Sequence, residues 1–344
     1  LSFIMRTILA PFATAAVLAL VLVPVCRLLA THFGCVAEPR TDRWHRRTVP
    51  LFGGVGIALA VLIGVVLFGD LVDVAVLAGC AAVIFVVGLL DDIIHLKAST
   101  KLIAEIVVAS AFLFFGYGLN WTGSLTGDSI LTIVWIVGIT NAFNLLDNMD
   151  GLCGGVAVIA VIALLSGLPL TSASGAPSAD VRYMALLLGA ISGFLVYNIH
   201  PASVFLGDAG SLFIGVSFAS FTLGSRDVVL DQSSLLSVVA APVLVLLIPI
   251  FDTTLVTLSR ILSGRSAATG GRDHASHRLV AIGLSERAAV GVLWMLAGLA
   301  GALGWAVRMF DVSWSMLLVS FCVVAMVLFA VFLAQVRVYD DKAG

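Results

Sequence analysis

Apolar runs separated by short polar breaks recur along the whole chain. They predict eleven helical spans, near residues 7–29, 53–69, 73–90, 100–117, 129–143, 153–169, 183–199, 209–224, 235–259, 287–307 and 312–334. Runs of this length suit a hydrocarbon layer about 30 Å thick, where a helix satisfies its own backbone hydrogen bonds. The pattern predicts an all-α polytopic integral membrane protein, one transmembrane domain over 1–344, with a polar loop at Ser172 to Ser178. The first run is read as an uncleaved span rather than a signal peptide, because a basic loop follows it.

Composition agrees. Hydrophobic residues make up 61% and charged residues 11% of the chain, and the mean hydropathy of +1.15 excludes an ordinary soluble domain. The net charge of -2 gives no sign of a nucleic-acid partner. Cys26, Cys35, Cys80, Cys153 and Cys322 lack the spacing of a disulfide framework or a zinc site. Of the 18 lysines and arginines, only Arg6, Arg182, Arg226 and Arg308 fall on one side of the predicted spans. The positive-inside rule then places the C-terminus in the cytoplasm, the N-terminus outside, and the loop 260–286 inside.

On that topology four polar clusters share the cytoplasmic face. GLLDDIIHLKASTKL sets Asp91 and Asp92 at the end of the third span and Lys97 and Lys101 at the start of the fourth. Carboxylates offer hard ligands or a base, and lysine offers a charge for phosphate; an ordinary charged loop is the alternative. In NAFNLLDNMDG, Asn141, Asn144, Asp147 and Asp150 recur every third residue, a stripe too polar and too short to face lipid. FLGDAGS places Asp208 at a helix start, suited to a metal-bound phosphate or to a simple cap, with Phe205 able to stack on a base. SGRSAATGGRDHASHRL carries Arg265, Arg272, His274, His277 and Arg278, a set that fits phosphate better than zinc.

Two further features belong with these. Pro249 is expected to kink the ninth span, with Asp252 beyond it orienting the His/Arg loop. The first cytoplasmic loop, TDRWHRRTVPLFGG, offers His45, Arg46 and Arg47 to a lipid phosphate or to the membrane surface.

In this order and on one face, LDDIIHLKASTKL, NAFNLLDNMDG, FLGDAGSL and DHASHRL resemble the motifs of the polyprenyl-phosphate N-acetylhexosamine-1-phosphate transferase family, which includes the WecA, TagO and MraY enzymes. The resemblance covers nearly the whole chain. It implies transfer of a sugar 1-phosphate from a UDP-sugar to polyprenyl phosphate, with magnesium, or manganese in its place, as cofactor. It implies Asp208 and Asn144 as metal ligands, with Asp91, Asp92, Asp208 and His277 as catalytic. Lys101, Arg272, His274 and Arg278 would hold phosphate, and Asn141, Asp147, Asp150 and Phe205 the nucleotide. The cell inner (cytoplasmic) membrane is the implied location, and a homodimer is a further expectation.

Two departures narrow the branch. His274-Ala-Ser-His277 replaces three consecutive histidines, and His95 stands where the peptidoglycan branch has lysine. Both favour a WecA/TagO-like enzyme with a GlcNAc donor over a MurNAc-pentapeptide transferase. A flippase or transporter, the reading from another class, would gather its polar groups near the midplane rather than at one surface.

Overall fold

The computed structural model describes residues 2–37, 48–168, 170–171, 178–225, 235–266, 271–336 and 338. Within them the chain is a helical bundle. A short turn, α1 (Ser2–Ile4), and a π-helical segment lead into α2 (Ala10–His32), followed by α3 (Gly53–Leu67), α4 (Ala75–Ile94) and α5 (Ala98–Phe114). Then come α6 (Leu125–Leu146), α7 (Leu152–Leu165), α8 (Ala179–Asn198), α9 (Gly207–Ser220), α10 (Leu235–Val245) and α11 (Leu247–Leu262). A short α12 (Ala275–Ala281) precedes α13 (Glu286–Met309) and α14 (Val312–Ala334). Two-residue strands pair antiparallel as β1 (Val36–Ala37) with β2 (Val49–Pro50) and β3 (Tyr117–Gly118) with β4 (Gly224–Ser225).

Every predicted run contains a helix, and the protein is all-α and multi-pass. Among the described residues six helices are long and apolar enough to cross a membrane, or seven if the bent pair α10 and α11 counts as one span. That bend is 75°. It falls at Leu246, upstream of Pro249, because a proline at that position has no N–H for the carbonyl four residues earlier and crowds it. The expected kink is therefore a break.

The centre of the bundle is α9. Almost all its residues from Gly207 to Ala219 are buried, Asp208 excepted. At 14 residues it rises only about 21 Å, less than the hydrocarbon thickness, so neighbouring helices rather than water must satisfy its ends. It packs on α4 and α6, while α2 packs on α8 and α7 on α13. One core joins α2 to α9, and a second gathers Leu146 and Leu152 with α11, α12 and α13. By contrast, α14 leaves most of its apolar surface exposed, as a lipid-facing helix does. All five cysteines are free.

Candidate active site

The last turn of α4, the first of α5, the last of α6 and the first of α9 meet at one end of the bundle. Lys101 Nζ lies 2.6 Å from Asp91 Oδ2 and 2.8 Å from Asp208 Oδ2. The Asn144 amide donates to Asp208 Oδ1 at 3.0 Å and to Ser211 Oγ at 2.9 Å. Asp91 is also fixed from its own side. His95 adopts a left-handed conformation (φ 57°) that ends α4, and the turn it makes sends the Leu96 N–H to Asp91 Oδ1 at 2.5 Å.

Asp92 faces the other way. Its carboxylate accepts the backbone N–H of Asp208 at 2.8 Å and of Ala209 at 3.0 Å. It thereby satisfies two of the N–H groups that any helix start leaves open. Such an approach demands glycine at two places. A Cβ on Gly88 of α4 would lie 2.5 Å from the Asp208 carbonyl oxygen, and one on Gly207 (φ 74°) would lie 2.7 Å from Asp92 Oδ2.

One turn deeper, Asn141 gives its amide N–H to Glu105 and to the Val137 carbonyl, the latter at 2.9 Å. Glu105 is only 2% exposed. Sequence reading passed over it, although a lone acid four residues after Lys101 in an apolar run was a visible signal.

A second cluster surrounds α12. Asp252 accepts from the Ala275 N–H at 2.7 Å and lies 2.7 Å from His274 Nδ1, so it does orient the His/Arg loop. Arg260 makes a two-bond pair with Asp273, at 3.0 and 2.8 Å, with both side chains buried. Burial alone would raise the Asp273 pKa, but the Arg260 hydrogen bonds and charge outweigh it and hold the carboxyl below its ordinary value. His277 is buried, and burial with the neighbouring charge of His274 pushes its pKa down to about 4. Ser276 Oγ donates to Asn148 Oδ1 at 2.6 Å, which ties α12 to the turn that follows Asn144.

Whether a metal fits can be judged from the donors. Two carboxylates, Asp91 and Asp208, share the one Lys101 ammonium, an excess of negative charge that a cation relieves, and carboxylate and amide oxygens are the hard ligands magnesium takes. Among the described residues no three His, Cys, Asp or Glu side chains converge to hold an ion by themselves. That suits an ion bound by one or two protein oxygens and completed by substrate phosphates. The donor set fits.

The model of glycosyl transferase family 4 matches residues 74–226, the stretch that supplies Asp91, Asp92, Lys101, Glu105, Asn144 and Asp208. A probable undecaprenyl-phosphate N-acetylglucosaminyl 1-phosphate transferase of Bacillus subtilis is 31% identical over 85% of this chain and 82% of its own. This chain belongs to glycosyl transferase family 4. A decaprenyl-phosphate N-acetylglucosaminephosphotransferase of Mycolicibacterium smegmatis is 31% identical over 83% of this chain and 78% of its own. The phospho-N-acetylmuramoyl-pentapeptide-transferase of Symbiobacterium thermophilum is 29% identical over 87% and 94%.

Within this family 4 member the expected residues separate into groups. Lys101 joins Asp91 to Asp208, Asn144 bonds Asp208, and Asp92 holds the start of α9 through the Asp208 and Ala209 N–H groups. Asp147 ends α6 half-buried, its N–H on the Asn144 carbonyl at 3.3 Å. Phe205, also half-buried, is held through its backbone by Pro50 and Gly53. Asp150 lies apart, bonded to His200 Nδ1 and the Ala202 N–H at 2.9 Å each, at a cavity of about 190 Å³ that it lines with Glu286, Arg287 and Trp294.

Arg272 is half-buried at the loop. Arg278 corrects the expectation of a phosphate contact. Its guanidinium points into the protein, where it bonds the carbonyls of Asp273, Leu333 and Val336 and the Ser259 hydroxyl at 2.8–3.1 Å. It closes the end of α14 instead. His45, Arg46 and Arg47 lie outside the described residues.

Proposed function

We propose that this chain transfers N-acetylglucosamine 1-phosphate from UDP-GlcNAc to a polyprenyl phosphate, releasing UMP and initiating cell-envelope polysaccharide synthesis. The reaction would take place at the cytoplasmic face of the inner membrane. One observation carries the reading: Asp91 and Asp208 share Lys101 where four helix ends meet, with Asn144 on Asp208. The relatives named for this transfer on undecaprenyl and decaprenyl phosphates support it over most of the chain.

In this reading an oxygen of the lipid phosphate attacks the β-phosphorus of the donor. The bond from that phosphorus to the bridging oxygen breaks, and UMP departs with the electron pair. A phosphate monoester loses its second proton near pH 6 (an approximate pKa), so the nucleophile needs little help from a base. The protein therefore works by alignment and charge. Lys101 offers a point charge to phosphate oxygens, and Asp91 holds that ammonium in place. Asp92 fixes the start of α9 and so the position of Asp208. Arg272 and the α12 loop approach from the side of the Asn148 turn. Magnesium, or manganese, would be held by Asp208 with the Asn144 amide oxygen, and when bound it neutralises diphosphate charge.

The test is UMP release by purified protein supplied with polyprenyl phosphate, magnesium and, in parallel, UDP-GlcNAc, UDP-GalNAc or UDP-MurNAc-pentapeptide, with EDTA as control. Release with UDP-GlcNAc that requires both lipid and metal is the expected result. Turnover with the pentapeptide donor alone would move the chain to the peptidoglycan branch, and silence with all three in folded protein would remove the reading.

A further inference from the structure

Below the contacts on Asp208, Asn141 of the NAFNLLDNMDG motif meets Glu105, a residue that no motif pointed to. Glu105 follows Lys101 by four residues on α5, and Asn141 precedes Asn144 by three on α6, so each couple stacks on one face of its helix. The helices are thus joined by two rungs. Lys101 and Asn144 meet on Asp208 in the upper one, and Glu105 accepts from Asn141 in the lower.

We infer that Glu105 is a positioning residue for the transfer proposed above, on which this inference rests. By holding Asn141 it fixes the register of α5 against α6, and with it the places of Lys101 and Asn144 around Asp208. Stability alone does not explain the pair, because a well-packed apolar couple would join the helices without burying a carboxylate. Apolar ridges, however, tolerate sliding, whereas one buried donor–acceptor pair has a single register. A slip of one residue would carry Lys101 about 1.5 Å along the helix and about 100° around it, ending its shared contact with Asp91 and Asp208. Misplacement of about 1 Å is enough to cost roughly 100-fold in rate.

The test measures kcat, donor KM and thermal melting for wild type, Glu105→Gln, Glu105→Ala, Asn141→Ala and the double alanine variant, by UMP release from UDP-GlcNAc. Glutamine keeps an oxygen for Asn141, so Glu105→Gln should stay within about 3-fold of wild type. Glu105→Ala should lower kcat by about 30- to 100-fold while donor KM moves less than about 3-fold. The double variant should be no worse than Glu105→Ala, since both remove one rung.

An unchanged kcat in Glu105→Ala, additive losses in the double variant, or equal damage by glutamine and alanine would each overturn the inference. If Glu105→Ala does not fold, Glu105→Gln and Asn141→Ala decide: register predicts near-normal turnover in the first and a reduced kcat in the second. A silent wild type would instead remove the reaction itself, which separates the two failures.

Discussion

The Asp92 carboxylate receives the backbone N–H of Asp208 at 2.8 Å, while its neighbour Asp91 receives the Lys101 ammonium at 2.6 Å. Adjacent carboxylates therefore do different work. Asp92→Ala leaves two buried N–H groups at the start of α9 unmet, a loss of about 1–3 kcal/mol per group. We expect a lower melting temperature in detergent together with lost turnover. Asp92→Asn, which keeps an acceptor oxygen, should fall between it and wild type. An Asp92→Ala protein that melts like wild type would contradict the capping role.

His277 bears on pH. Its pKa is pushed down to about 4 by burial and by the charge of His274, from an unfolded value of about 6.5. Between those values the unfolded chain binds the extra proton, so stability rises with pH through that window and is lost as pH falls from about 6.5 towards 4. The size is about 3 kcal/mol at most. Melting temperature recorded from pH 4 to 7 should therefore slope less in His277→Gln than in wild type. The neutral imidazole also predicts no His277 step in the activity profile between pH 6 and 9, and a step abolished by His277→Gln would show the ring charging there.

Two arginines six residues apart should separate cleanly. Arg278 bonds the Leu333 and Val336 carbonyls and the Ser259 hydroxyl. Hydrogen bonds to a charged group contribute about 1.5–3 kcal/mol each, so Arg278→Ala should lower the melting temperature strongly. Arg272→Ala should instead raise donor KM by roughly tenfold, the loss of one charge-assisted contact of about 1.4 kcal/mol. The reverse pattern would return Arg278 to the substrate.

These cases show what the chain made legible and what it hid. Alternating apolar runs and polar breaks placed the helices, because lipid and protein interior both demand apolar surface. The same fact concealed α9, since a helix that faces protein on every side reads like one that faces lipid. Asn144 was legible as a short polar group where none should face hydrocarbon, Asp208 as an acid at a helix start among small residues, and Lys101 as a charge for phosphate beside two carboxylates. Glu105 was missed because its run was judged by its average hydrophobicity. Arg278 was misread because motif membership does not say which face of a seven-residue helix turns inward. Pro249 gave the bend but not its place, which depends on the carbonyl four residues upstream.

The most direct test of the central claim is turnover by Asp208→Asn. The variant keeps the size of the side chain and an oxygen for Asn144, but removes the charge that pairs with Lys101 and would hold the metal. The account predicts protein that is folded in detergent and melts close to wild type, yet releases no UMP above the EDTA control from UDP-GlcNAc and polyprenyl phosphate. Wild-type rates in that variant would take Asp208 out of the site and the proposed reaction centre with it.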